Sequence, residues 1–178
     1  MTSASDVIGV DVSPASAADV IIQPETAWPF EDASFDAVFS SQAYEHIRDI
    51  GHVNSEVLRV LKPGGLFILS VPFYHNEHGV PEDYRRWTRY GLAEDYRRDY
   101  DVEEVVVLGG VGSVLGVVQI NWFALAFERI PGQRKLAHVL WPFWALLCGL
   151  LGIQGVIFDA LDKTGAFYTN AILIARKR

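Results

Sequence analysis

One cysteine, one methionine and the absence of any lysine-rich run set the first limits on what this 178-residue chain does. A lone thiol, Cys148, forms no intramolecular disulfide and supplies no Cys/His cluster with metal-ligand spacing, so neither a disulfide framework nor a structural zinc site is expected. A reducing compartment is the simpler setting for such a chain. Charged residues sum to −7, which disfavours attraction to nucleic acid phosphate. The opening MTSASDVIGV lacks a basic flank followed by a long apolar run, so it does not read as a signal peptide, and the expected location is cytoplasmic.

What the chain has in quantity is apolar side chains, 50% of all residues. Its length suits one domain with a substantial core. The organising stretch is Phe35 to Pro72, where strand signals at Asp36 to Ser41 and Leu66 to Pro72 bracket one amphipathic helix. Val53, Val57, Leu58, Val60 and Leu61 recur at spacings of three and four, and Asn54, Glu56 and Arg59 fall on the opposite face. Lys62-Pro63-Gly64-Gly65 ends the helix with a cation, a residue that blocks continuation and a glycine suited to a left-handed turn. This is a βαβ unit with a right-handed crossover.

Shorter signals surround it. Val7 to Asp11 reads as a strand, with Ser13 as an N-cap and Pro14 at the first position of a helix, and Asp19 to Gln23 reads as a further strand. Beyond the βαβ unit, Thr88 is placed to cap a short helix that faces Leu92 and Tyr96 to the core. Val102 to Leu108 and Phe167 to Arg176 are the last strands. Between them, residues 109–165 form two apolar helices separated by Pro131-Gly132.

WPFEDASFDAVFS, then the Glu45-His46 pair, then EVLRVLKPGGLFILSVP, with GVDVS at Gly9 to Ser13, together resemble the class I S-adenosylmethionine-dependent methyltransferases, with Trp28 in place of the usual leucine. The resemblance covers roughly the first half of the chain and thins beyond Tyr90. It implies an α/β, Rossmann-like methyltransferase fold with S-adenosyl-L-methionine as cofactor. It also implies a departure, because the family's first strand and glycine-rich loop, which precede the GVDVS strand, have no counterpart here. The expected fold is therefore N-terminally truncated, with residues 1–108 and 166–178 forming the α/β domain and 109–165 an apolar helical hairpin inserted before the last strand.

The same resemblance assigns candidate residues. Asp11 and Val12, ending the GVDVS strand, would contact the cofactor ribose, where the blander reading is that Asp11 only supports the turn. Glu25 and Thr26 would lie against the adenine, although the family's acidic position is Pro24 here and Glu25 is equally a solvated loop charge. Ser41 and Gln42 would touch cofactor. His46 is the candidate catalytic base, set against a structural or cofactor-shaping role for the Glu45-His46 pair. Past the βαβ unit, His78, Pro81, Asp83 and Arg86 match an H-x-x-P-x-D-x-x-R segment found in relatives that act on small molecules or glycan intermediates. His78, Asp83, Tyr84, Arg85 and Arg86 are accordingly candidate substrate contacts, against a reading in which the arginines are solvated or paired with Glu94 and Asp95.

Val139 to Phe158 contains no charged residue and is long enough to cross a bilayer, while Pro142, its glycines and Gln154 weaken it as a span. Both ends must return to one sheet, so a hairpin against the sheet, the membrane interface or a second subunit fits better than one crossing. Trp122, Trp141 and Trp144 suit either an interface belt or a core. The functional expectation is methyl transfer to a small-molecule, glycan or lipid-linked acceptor, by a chain that is cytoplasmic or peripheral at the inner membrane face. The alternatives are a non-catalytic subunit of the same fold and a membrane-associated interaction protein that binds no cofactor.

Overall fold

The computed structural model describes residues 7–130 and 133–178, without the side chains of 133–138. The Pro131-Gly132 break lies outside the described residues. Strands β1 (Val10–Asp11) and β2 (Val20–Ile21) pair in parallel as a ladder of their own. A second sheet of four strands has the order β3-β4-β6-β5, built from β3 (Phe35–Ser41), β4 (Leu61–Pro72), β5 (Tyr100–Leu108) and β6 (Asn170–Lys177). The β3 and β4 strands are parallel, and β6 runs antiparallel between β4 and β5. The carboxyl ends of β3, β4 and β5 therefore share one edge.

Helix α1 (Ile50–Val60) is the crossover between β3 and β4, capped by Asp49, whose carboxylate accepts the Gly51 and His52 N–H groups. Its Val53, Val57 and Val60 are buried as the spacing predicts. The helix ends earlier than the Lys62 to Gly65 signal suggests, because Leu61 is already extended and pairs with Phe35 at the start of β4. Gly64 then takes the left-handed turn, with φ of 74°. Helix α2 (Arg89–Tyr96) is capped by Thr88 as expected, with Leu92 and Tyr96 buried.

The core lies on one face of the large sheet. Phe67, Leu69 and Val71 of β4 sit opposite Ala175, Leu173 and Ala171 of β6, and α1, α2, Tyr44 and Tyr100 close over them. The other face, carried by Phe39, Ile68, Ile172 and Ile174, has no such cover, and Phe39 is 68% exposed. β3 is also an end strand, hydrogen-bonded only to β4 among the described residues.

Several expectations are corrected. The helix expected after Ser13 is a turn, because Asp11 takes the Ser13 N–H at 2.9 Å and Ser16 closes back on the Ser13 carbonyl at 3.1 Å. The flanking strands shrink to two residues each, since each has only the other to pair with. Glu56, expected on the outer face of α1, is buried. The final strand starts at Asn170 because Tyr168 turns inward, its hydroxyl accepting the Arg89 N–H at 2.8 Å.

Between β5 and β6 the chain forms α3 (Val111–Glu128) and α4 (Gln133–Leu161), packed as a hairpin. Their crossing is close: a Cβ on Gly112 would stand 2.0 Å from the Gly155 carbonyl oxygen. Asp159 of α4 accepts the Gly112 and Ser113 N–H groups at 2.7 and 3.0 Å, and Asp162 accepts that of Val111 at 3.2 Å, so the end of one helix caps the start of the other.

Candidate active site

At the carboxyl edge of the large sheet the chain leaves β3 through Ser41 and Gln42. Gln42 holds φ at 51°, unusual for a residue with a side chain, and is fixed by its N–H to the Ser70 carbonyl at 3.0 Å and its amide to the Ser70 hydroxyl at 3.1 Å. One helical turn, Tyr44 to His46, follows. Tyr44 anchors it in the core beside Phe67, and burial pushes its phenol well above the usual tyrosine range. Glu45 is wholly buried, and neither of its carboxylate oxygens has a hydrogen-bond partner among the described residues.

The loop after β4 folds back onto this turn. His46 and His78 stack edge to face at 4.7 Å, and the Nε2 of each lies 3.8 Å from Glu45 Oε1. Their other nitrogens are engaged: His46 Nδ1 with the Glu82 carbonyl at 2.5 Å, His78 Nδ1 with the Asn76 carbonyl at 3.2 Å and near Asp83 at 3.5 Å. Asp83 also accepts the His78 backbone N–H at 3.0 Å and receives both terminal nitrogens of Arg86, at 2.5 and 2.7 Å. The Arg86 hydrogen bonds hold the Asp83 carboxyl well below the usual carboxylate range.

The structure thus brings His46, His78, Asp83 and Arg86 together and adds Glu45. The Glu45-His46 pair stands out in the sequence through the family resemblance, but the place of Glu45 in a buried turn, beneath a loop 33 residues later, is visible only in three dimensions. Tyr84 donates its N–H to the Glu45 carbonyl at 2.8 Å, and its hydroxyl accepts from Arg48 at 3.3 Å. Arg85 hydrogen-bonds the Ile47 and Arg48 carbonyls and lies near the rings of Tyr84 and Trp87. Arg85 and Arg86 are therefore spent on the protein's own oxygens. Pairing of these arginines with Glu94 and Asp95 is not found among the described residues; Asp95 accepts the Trp87 indole N–H at 3.0 Å, and Glu94 faces Arg97.

The remaining cofactor candidates lie on the small ladder. Asp11 ends β1 with Oδ1 on the Ser13 N–H, and the neighbouring Val12 is half exposed. Glu25 and Thr26 lie in the loop after β2, where the Thr26 N–H meets the Gln23 carbonyl at 3.2 Å. Ser41 ends β3 of the large sheet, and Gln42 follows it on the same edge.

Residues 1–69, which carry both ladders' first strands and the Glu45-His46 turn, match the family model described as a methyltransferase domain. The chain carries a class I methyltransferase domain. S-adenosylmethionine is the methyl donor of that family. An uncharacterized methyltransferase of Mycolicibacterium gilvum is 37% identical over 131 residues, covering 62% of this chain and 51% of its own length. Another, from Mycobacterium sp. strain KMS, is 42% identical over 129 residues, covering 67% and 48%. The methyltransferase domain here therefore belongs to a chain that spans about half the length of the relatives it matches. In fold it is similar to a solved methyltransferase structure from Bacillus halodurans C-125, with a TM-score of 0.54 over 97% of this chain and 81% of that one; at 15% identity the likeness is one of fold alone.

Proposed function

We propose that this chain transfers the methyl group of S-adenosylmethionine to an oxygen or nitrogen of a small-molecule, glycan or lipid-linked acceptor. The observation that carries this reading is the strained Gln42 and the Glu45, His46 and His78 cluster at the same sheet edge, where open α/β sheets bind ligands. The donor's adenosyl half fits the residues present: Asp11 has Oδ1 on the Ser13 N–H, which leaves Oδ2 for a ribose hydroxyl, and Glu25 and Thr26 sit in the next loop. Transfer is a displacement in which the acceptor's lone pair bonds the methyl carbon as the carbon–sulfur bond breaks. The acceptor proton passes to the cluster, where the Glu82 carbonyl on His46 Nδ1 turns Nε2 inward.

The methionine half of the donor has no cradle among the described residues. We propose that a further strand, carrying a glycine-rich loop, pairs with the free edge of β3 and that its flanking helices cover the face around Phe39. What supports this is the open edge, the one-sided core and the separate β1-β2 ladder. Calorimetric titration of S-adenosylhomocysteine into the full-length protein tests the reading. Saturable binding that Asp11→Asn weakens at least tenfold is expected, and an absence of binding overturns it.

The α3-α4 hairpin supports a location. Its two helices pass as membrane spans by length and composition, yet only 11% of each apolar window is buried, which sets them apart from core helices. Apolar residues face outward over the part of α4 that α3 does not cover, from Val139, Trp141 and Phe143 to Val156 and Leu161, an apolar surface that lipid would cover. The two apolar stretches are 18 and 23 residues long, about 27 and 35 Å as helices. We read the hairpin as bilayer-seated. The Asn121 amide on α3 donates to Asn76 in the loop that carries His78, a contact that supports an acceptor side next to the hairpin and a lipid-linked acceptor.

A further inference from the structure

We propose that Glu45, His46 and His78 form a binding site for a divalent transition-metal ion of the zinc type. One atom from each residue, Glu45 Oε1, His46 Nε2 and His78 Nε2, lies within 4.8 Å of the other two, and the carboxylate oxygen is 3.8 Å from each nitrogen. Ligand atoms around a tetrahedral zinc stand about 3.4 Å apart, given bonds of about 2.0–2.1 Å, so both carboxylate–imidazole separations lie within a few tenths of an ångström of that spacing.

Two independent features point to a cation between them. The Glu45 carboxylate is fully buried without a hydrogen bond to either oxygen, a costly state for an anion unless a positive charge is adjacent. Both imidazoles offer Nδ1 to a main-chain carbonyl, which places the ring proton there and leaves the two Nε2 lone pairs converging on the same carboxylate oxygen. Those carbonyls, with Asp83 beside His78, are the outer contacts that orient metal-binding histidines and raise their basicity. Gly79 completes the seat for His46: a Cβ there would lie 3.1 Å from the ring.

Two neutral imidazoles with one carboxylate suit zinc, nickel or iron(II) and are a poor match for magnesium or calcium, which prefer oxygen throughout. The side chains of His46 and His78 keep 29% and 34% of their surface, so the outward coordination positions stay open, as in sites where metal meets substrate. There the ion would polarise an acceptor hydroxyl and lower its pKa, taking over the task otherwise given to free His46. That role rests on the methyl-transfer reading; ion binding itself does not.

The test is a titration of the chelator-treated full chain with Zn²⁺, and with Co²⁺ for its visible absorption, in the absence of any methyl donor. One equivalent is expected to bind, with cobalt bands of a four- or five-coordinate site. His78→Ala, at a partly exposed position that the core does not need, should weaken binding at least tenfold, as should Glu45→Gln, while Cys148→Ser leaves it unchanged. Absence of binding, binding indifferent to His78→Ala, or binding abolished by Cys148→Ser overturns the site. So does a proton in the ion's place, seen as an imidazolium signal for His46 or His78 at pH 7.5 that zinc does not displace. Failure of S-adenosylhomocysteine to bind would overturn methyl transfer and leave the metal site standing.

Discussion

Glu56 accepts the backbone N–H of Trp28 at 2.7 Å from the buried side of α1, and through that bond one carboxylate ties the loop after β2 to the crossover helix. Arg59 completes the tie. It reaches both Glu56 oxygens at 2.8 and 2.9 Å, the Phe30 carbonyl and Asp32 at 2.7 Å each, and the Trp28 carbonyl at 3.2 Å. Hydrogen bonding from Arg59, against the opposing effect of burial and with help from the Trp28 N–H, lowers the Glu56 carboxyl to about 2. A folded-state value below the unfolded one means that this stabilisation is complete above the ordinary glutamate value of about 4.3 and drains away as pH falls from there toward about 2. Glu56→Gln should therefore flatten the acid limb of a melting-temperature profile below about pH 5, and Glu56→Ala should cost roughly 2–3 kcal/mol at pH 7 by chemical denaturation. An unchanged acid limb in the glutamine variant would refute the assignment.

The reach of sequence reading is visible in that same helix. Val53, Val57 and Val60 were legible because burial follows helical period, and Thr88 because a capping hydroxyl must sit one residue before its helix. Glu56 was not, since its period places it outward and only the loop folding over α1 buries it. The site shows the same division. His46, His78, Asp83 and Arg86 stood out as residue types, but their pairing did not: whether an arginine reaches a ligand or its own main chain depends on where a loop closes, and Arg85 closes on Ile47 and Arg48. The helix expected at Ser13 stops at one turn, where Asp11 holds the Ser13 N–H and the Ser16 N–H closes back on the Ser13 carbonyl.

Asp159 gives a second prediction. It holds the first N–H groups of α3 from the far end of α4, so Asp159→Ala should cost about 1–2 kcal/mol, as loss of a helix cap does, and should speed amide exchange at Gly112 and Ser113 before the sheet exchanges. Uniform exchange across α3 and the sheet would show that the cap is not acting locally.

Gly112 gives a third. Its backbone meets Gly155 so closely that any side chain must push the helices apart, and Gly112→Leu should cost about 1–3 kcal/mol or more through overpacking. Gly116, where an added Cβ meets nothing within 4 Å, is the control, and Gly116→Ala should be neutral or slightly stabilising. Equal effects at the two positions would argue against close packing of the hairpin.

The last prediction concerns the hairpin as a whole. No residue of 109–165 belongs to the described core cluster under α1 and α2, so that core does not depend on the insertion. Leu108 and Asn170 are direct cross-strand partners, and the Thr169 N–H already bonds the Leu108 carbonyl at 2.9 Å, so β5 and β6 can be joined by a short turn without moving either strand. Replacing 109–165 with such a turn should leave a cooperative unfolding transition and raise solubility. The intact chain should float with vesicles of phosphatidylcholine and phosphatidylglycerol, and the shortened one should remain in the dense fraction. Leu146→Lys with Leu150→Lys, both at exposed positions, should weaken flotation without shifting the melting temperature of the domain. An intact chain that stays out of the lipid fraction as a monodisperse monomer, together with a shortened chain that does not fold, would return the hairpin to the core and remove the membrane from the account; a detergent-independent dimer that ignores vesicles would assign the same surface to a second copy.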